Sequence, residues 1–243
     1  MAYKEDAIAL ITESKEIFVE IKKAYEESLH EHEIKPKLLI KIKNFMENLR
    51  SALDFTAHHL FDKYGVAGAG NNNVYFPYAW AGLTLDEFRR KNLIQNRIPG
   101  LIVNRPDIAA EIESYQYFSR AENYWLPKFM ELNNENKHQR LTPQTRKETK
   151  ELNVKSKDGA VTLKVSPNQS IVVPEGVTLK MGNATIRGGQ SFSLESPPVI
   201  INGTNEIIIW VSFEFTDINE PVLSLLENAL NGCFKIVSEL TDR

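Results

Sequence analysis

The hydrophobic period of this chain changes near residue 144, and that change limits the fold more than any other feature. Upstream, Ala7, Ile11, Ser14, Phe18, Ile21, Tyr25 and Ser28 recur at alternating steps of four and three, and Leu39, Ile42, Met46, Leu49, Leu53, Ala57 and Leu60 do the same. That spacing puts one apolar stripe on a helix. Downstream the step is two: Val161, Leu163 and Val165; Ile171 and Val173; Val177 and Leu179; Phe192 and Leu194; Ile207, Ile209 and Val211. Such alternation suits strands with one buried face, and Asp158-Gly159, Pro174-Glu175-Gly176, Gly188-Gly189 and Asn202-Gly203 supply turns between them. After Pro221 the helical period resumes through Val222, Leu225, Leu226, Ala229, Cys233, Ile236 and Leu240. The pattern predicts an α+β protein. An antiparallel helical bundle is expected over 1–143 and a β-rich segment, a small sandwich or meander, over 144–217. A C-terminal helix over 218–243 is expected to return to the bundle, which makes the β segment an insertion.

Punctuation sets the finer boundaries. The first helix is predicted over 4–31. Pro36 suits the opening turn of a second helix that runs to Tyr64, where Gly65 and the Gly68–Asn73 run stop it. At about 1.5 Å per residue, each of these helices is about 40 Å long. Leu85–Asn92 reads as a short helix with Thr84 as its cap. Pro106 opens another through Ile108, Ile112, Tyr115 and Phe118, and Pro127 opens one that carries Phe129, Met130 and Leu132 toward Leu141. Val74–Trp80, aromatic and broken by Pro77, reads as a packed loop or short strand, its rings chiefly core. Thr145–Asn153 is charged and reads as a linker.

Charge and composition exclude several functions. The 29 basic and 32 acidic residues leave a net charge of −3. A nucleic-acid coat protein would be strongly basic, whereas a protein that meets RNA through one local patch need not be. The single Cys233 cannot form an internal disulfide and reads as a small buried hydrophobe. No signal-peptide core follows Met1, and no stretch approaches the about 18–20 apolar residues of a membrane helix, so cytoplasm is the expected location and no membrane partner is expected. The glycine-rich run at 65–70 lacks the Gly-Lys-Ser/Thr ending of a phosphate loop. No cofactor is expected.

One polar constellation could carry chemistry. Arg50, Asp54 and His58 follow at i, i+4 and i+8, so at about 100° per residue their directions differ by only about 40° per step. They flank the apolar stripe, whereas His59 points to the far side and is expected in solvent. On the helix from Pro127, Asn134 and His138 are also i, i+4 neighbours, with Lys137 beside them. Should the two seams face each other, a carboxylate, two imidazoles and two permanent cations would share a partly desolvated cleft. Such a cleft suits acid–base work on a phosphate ester. The plainer reading makes Arg50–Asp54 a helix-surface ion pair worth a few tenths of a kcal/mol and the histidines structural hydrogen-bonders. A metal held by Asp54, His58 and His138 is disfavoured, because Arg50 and Lys137 would set positive charge beside it.

The segments Leu49-Arg50-Ser51-Ala52-Leu53-Asp54, Phe76-Pro77, Ile112-Glu113-Ser114-Tyr115-Gln116 and Leu132-Asn133-Asn134-Glu135-Asn136-Lys137-His138 resemble those of a set of uncharacterised bacterial proteins with an RSxLD helix and an LNxxxKH segment. More distantly, the chain resembles HEPN-type helical domains of toxins and phage-defence proteins. The resemblance covers about residues 40–141. It implies a helical bundle, metal-independent RNA cleavage or an RNA-binding relative of such an enzyme, and a homodimer through the helical body. It also implies roles: His138 as acid or base toward a ribose 2′-hydroxyl, Arg50 and Lys137 on the phosphate, and Asp54 orienting a histidine or the arginine, with His58 and Asn134 nearby. HEPN members carry an arginine four to six residues before the histidine. Here Asn133 or Asn134 stands at that place, so Arg50 or Arg140 would supply the cation in space. The competing expectation is a non-enzymatic protein-interaction module, recognising its partner through the β segment, with the polar cluster as a structural network.

Overall fold

The computed structural model describes residues 2–27, 34–66, 73–138 and 140–243; the side chains of Lys137, His138 and Trp210 lie outside that description. The chain divides into two compact units, one of residues 1–145 with 213–243, the other of residues 146–212. It is an α+β protein: helices first, antiparallel sheets next, and a closing helix.

The first unit is built on four long helices, α1 (Ala2–Glu27), α2 (Pro36–Tyr64), α7 (Trp125–His138) and α8 (Val222–Thr241). Between α2 and α7 lie the short helices α3 (Leu85–Arg90), α4 (Leu93–Arg97), α5 (Leu101–Asn104) and α6 (Pro106–Ser114), then a 3-10 turn at Ala121–Tyr124. The stripe Ala7, Ile11, Ser14, Phe18, Ile21 and Tyr25 is buried along α1, and α8 buries Val222 through Leu240 at helical spacing. Each large apolar side chain removed from water contributes roughly 1.5–3 kcal/mol, so the bundle needs no covalent cross-link. Pro36 stands in the first turn of α2, and Thr84 and Glu87 close a capping box on α3. Cys233 is fully buried, and that burial pushes its thiol well above the usual range.

Helix α2 is covered on two sides. Along one flank runs α1, with the Phe18 and Phe45 rings 5.7 Å apart; α7 and α8 pack on the other. Its buried arc is therefore wider than a single stripe and reaches His59, which is only 8% exposed. The solvated position expected for His59 is corrected accordingly. Burial, with Lys63 and Lys4 nearby, holds its imidazole below the ordinary histidine range.

Three other boundaries differ from expectation. The helix from Pro106 ends at Ser114, where Gln116 folds back into the core, and Phe118 packs on Phe88 outside any helix. Helix α7 starts at Trp125 and ends at His138, short of Leu141. The expected linker at 145–153 is part of a strand that runs on to Ser156, with cross-strand ion pairs along its second half: Glu151 with Lys164 at 3.3 Å and, just past the expected linker, Lys155 with Glu206 at 2.6 Å. The expected end of the first helix, 28–31, and most of the glycine-rich run lie outside the described residues.

The chain enters the second unit along β1 (Gln144–Ser156) and leaves it along β8 (Gly203–Phe215). Within it, β1 pairs antiparallel with β2 (Val161–Val165), and β3 (Ser170–Val173) with β6 (Gln190–Ser193). Strand β5 (Ala184–Arg187) lies between β4 (Thr178–Met181) and β7 (Ile200–Ile201). Leu152, Val165, Val173, Ile186, Phe192 and Leu194 form the unit's core. The middle of β8 departs from the alternation expected of it: Ile207 and Ile209 are about half exposed. Back in the first unit, the end of β8 pairs with β9 (Glu220–Pro221), which leads into α8. No described helix is long and apolar enough to cross a membrane.

Candidate functional site

Arg50 and Asp54 face α7 and the aromatic segment at 74–80. The Arg50 Nε–H donates to Asp54 Oδ2 at 3.1 Å, and Arg50 Nη1 donates to the Met130 sulfur on α7. Asp54 Oδ1 accepts from the backbone N–H of Phe76 at 2.9 Å. Both side chains are 19% exposed. The pair thus does more than join two surface charges. Its carboxylate ties the aromatic segment to α2 and fixes the guanidinium beneath it.

That segment has no strand partner among the described residues, and side chains meet several of its backbone groups. Gln116, fully buried, accepts from the N–H of Ala79 at 2.8 Å and donates to the carbonyls of Pro77 at 3.2 Å and Ile112 at 3.0 Å. Held at Phe76 and Ala79, the segment buries Val74, Phe76 and Ala79 and turns Tyr75 and Trp80 outward, 42% and 46% exposed. These two rings correct the expectation that the aromatics here are chiefly core.

A cavity of about 350 Å³ opens over the segment, lined by Arg50, Tyr75, Tyr78, Trp80, Arg97 and Asn134, among others. Each ring carries a cation on one face. Arg97 lies 5.6 Å from the centre of Tyr75, Arg50 5.3 Å from Tyr78, and Lys91 Nζ 5.5 Å from Trp80. Arg97 is placed by the turn after α4. Gly100 takes φ 93 there, and an added Cβ would come within 2.6 Å of Val66.

The cations differ in what holds them. Arg89 is paired with Glu113, Arg105 with Asp107 and Arg243 with Glu111, each through two nitrogens. Among the described residues, the Arg50 guanidinium meets one carboxylate oxygen and one thioether, a weak acceptor, so most of its five N–H donors are not matched by a strong acceptor. Arg97 has no carboxylate partner among the described residues.

Of the residues expected in the site, Arg50 and Asn134 open into the same cavity, with Asp54 behind Arg50. His58 is not in its lining; its ring stacks on Tyr3 of α1, centroids 4.9 Å apart and planes at 22°. Although Asp54 and His58 share one side of α2, the chain crosses Asp54 at Phe76, while α1 covers the helix a turn further on. Arg140 is elsewhere, held by Glu135 at 2.9 Å and Asp217 at 3.1 Å. Lys137 and His138 lie on α7, three and four residues past Asn134, and their side chains are outside the described residues. Among the described residues, no group of three or more His, Cys, Asp or Glu side chains is arranged to hold a metal ion. Sequence reasoning missed Arg97, which no motif marks, and set aside Tyr75, Tyr78 and Trp80, whose signal was an aromatic at nearly every second position.

Comparison of the chain with protein families, with curated proteins and with solved structures gave no match.

Proposed function

We propose that this protein binds RNA through the cleft over residues 74–80, as a HEPN-like protein of bacterial defence or toxin type acting in the cytoplasm. The observation that carries the reading is the convergence of Arg50 and Arg97, neither of them saturated by carboxylates among the described residues, with three cation-backed rings and Asn134. Guanidinium groups suit the planar oxygens of a phosphodiester, and aromatic faces suit bases. The net charge of −3 agrees with a local patch rather than a basic coat. A homodimer through the helical body belongs to the same proposal, by resemblance alone.

Cleavage is the stronger form of the proposal. His138, one helical turn past Asn134, would take the proton from a ribose 2′-hydroxyl, with Arg50 and Lys137 offsetting the charge that develops on the phosphate. Asp54 would act as a positioning residue for Arg50, since its contacts run to that guanidinium and to Phe76. The test is incubation of the purified chain with RNA in EDTA, beside a binding titration. Salt-sensitive binding supports the reading, and metal-free cleavage lost in His138→Ala supports its catalytic form. Cleavage indifferent to His138→Ala removes that role, and absence of binding at low salt removes the proposal.

A protein-interaction role for the β unit is the second reading, favoured by the half-exposed Ile207 and Ile209 on β8. It predicts that Ile207→Lys with Ile209→Lys abolishes a partner contact while leaving RNA binding intact; loss of RNA binding in that variant would count against it.

A further inference from the structure

A second cavity, of about 360 Å³, adjoins the first and shares Tyr78, Trp80 and Asn134 with it, adding Pro127 and Glu131 from α7. The two rings and Asn134 thus stand between neighbouring cavities of opposite character. The first holds Arg50 and Arg97; the second holds the Glu131 carboxylate and, among the described residues, no Lys or Arg in its lining. A phosphate is attracted to the first and repelled from the second, since like charges at close range are unfavourable. A base edge or ribose hydroxyl, with N–H or O–H groups to donate, suits Glu131 and the Asn134 amide. The wall between the cavities is aromatic, and a base can stack on it.

From this charge sorting we infer that the cleft takes unpaired nucleotides, each straddling the Tyr78–Trp80 wall, with phosphate on the Arg50 and Arg97 side and base or ribose on the Glu131 side. The ligand class is single-stranded RNA recognised by its exposed base faces, and the inference rests on the RNA-binding reading above. Duplex RNA fits poorly, because its bases are stacked on one another and present only edges to a protein. Tyr75 with Arg97 and Trp80 with Lys91 repeat the ring-and-cation unit on either side of Tyr78 and Arg50, which gives the strand a path along residues 75–80.

The experiment is fluorescence anisotropy of the full chain with a labelled single-stranded RNA, the same strand in a duplex, and an abasic strand with the same number of phosphates. The single strand should bind about tenfold or more tighter than the other two, as stacking of one or more bases requires. Trp80→Ala and Tyr75→Ala, at exposed positions where folding is checked by a thermal melt, should lower single-strand affinity about tenfold each and leave abasic affinity unchanged. Abasic or duplex RNA bound as tightly as the single strand would overturn the inference and leave a phosphate-only RNA binder. Equal loss of single-strand and abasic affinity in both variants would also overturn it. Absence of binding to every strand at low salt would remove the RNA-binding reading as well.

Discussion

Asp54 connects two elements that sequence leaves unrelated: one carboxylate oxygen accepts from Arg50 a helical turn earlier, the other from the backbone of Phe76, twenty-two residues later. Asp54→Ala leaves a mostly buried guanidinium and a backbone N–H without their acceptor, at a cost of about 2–3 kcal/mol. Asp54→Asn can still accept from Phe76 and should cost less. Urea melts of both variants check the order.

Gln116 holds the aromatic segment from the opposite side. Gln116→Leu matches its volume but strands the N–H of Ala79 and the carbonyl of Pro77 in the interior, for a loss of about 2–4 kcal/mol. If the segment forms the binding surface, RNA affinity falls with stability. A titration beside the melt shows whether the two move together.

Arg97 is exposed and carries no structural ion pair among the described residues, so Arg97→Ala should change stability by less than about 0.5 kcal/mol. If it meets a phosphate, the slope of log K against log salt should fall by about one in magnitude. Titrations at several salt concentrations measure this.

His59 gives the fold a pH dependence of known sign. Its folded-state pKa is lowered by burial, so the unfolded chain binds the proton more readily, and stability rises with pH wherever only the unfolded state is protonated. The contribution is complete above about 6.5, the ordinary histidine value, and is lost as pH falls through the folded-state value. Wild type should therefore lose more stability than His59→Leu between neutral and mildly acid pH; parallel melts at both pH values show the difference.

Gly232 on α8 sets two effects in opposition. Alanine gains about 1 kcal/mol of helix propensity, but a Cβ there would stand 2.0 Å from the indole of Trp125. Overpacking against a large ring costs about 1–3 kcal/mol, so Gly232→Ala should be net destabilising or at best neutral in a thermal melt.

The helical unit was legible because α1 and α8 each bury one stripe at helical spacing, α2 buries its stripe within a wider arc, and Pro36 and Thr84 mark starts by chemistry that acts locally. What was not legible depends on neighbours. His59 is buried because α1 covers a second face of α2, which no period within α2 reveals. Strand β1 carries charged residues, among them Glu151 and Lys155, whose partners Lys164 and Glu206 lie on other strands. The Arg50–Asp54 spacing was visible, as was the side of α7 that carries Asn134. The link from Asp54 to Phe76 and the outward turn of Tyr75 and Trp80 were not, since both follow from where an irregular segment crosses the bundle.

Photocrosslinking maps the RNA contact surface most directly. RNA carrying 4-thiouridine, bound to the purified chain, irradiated and digested, should yield crosslinked peptides from residues 74–80, with Tyr75, Tyr78 or Trp80 as attachment points. Crosslinks confined to residues 146–212, with the aromatic segment unmodified, would contradict the account.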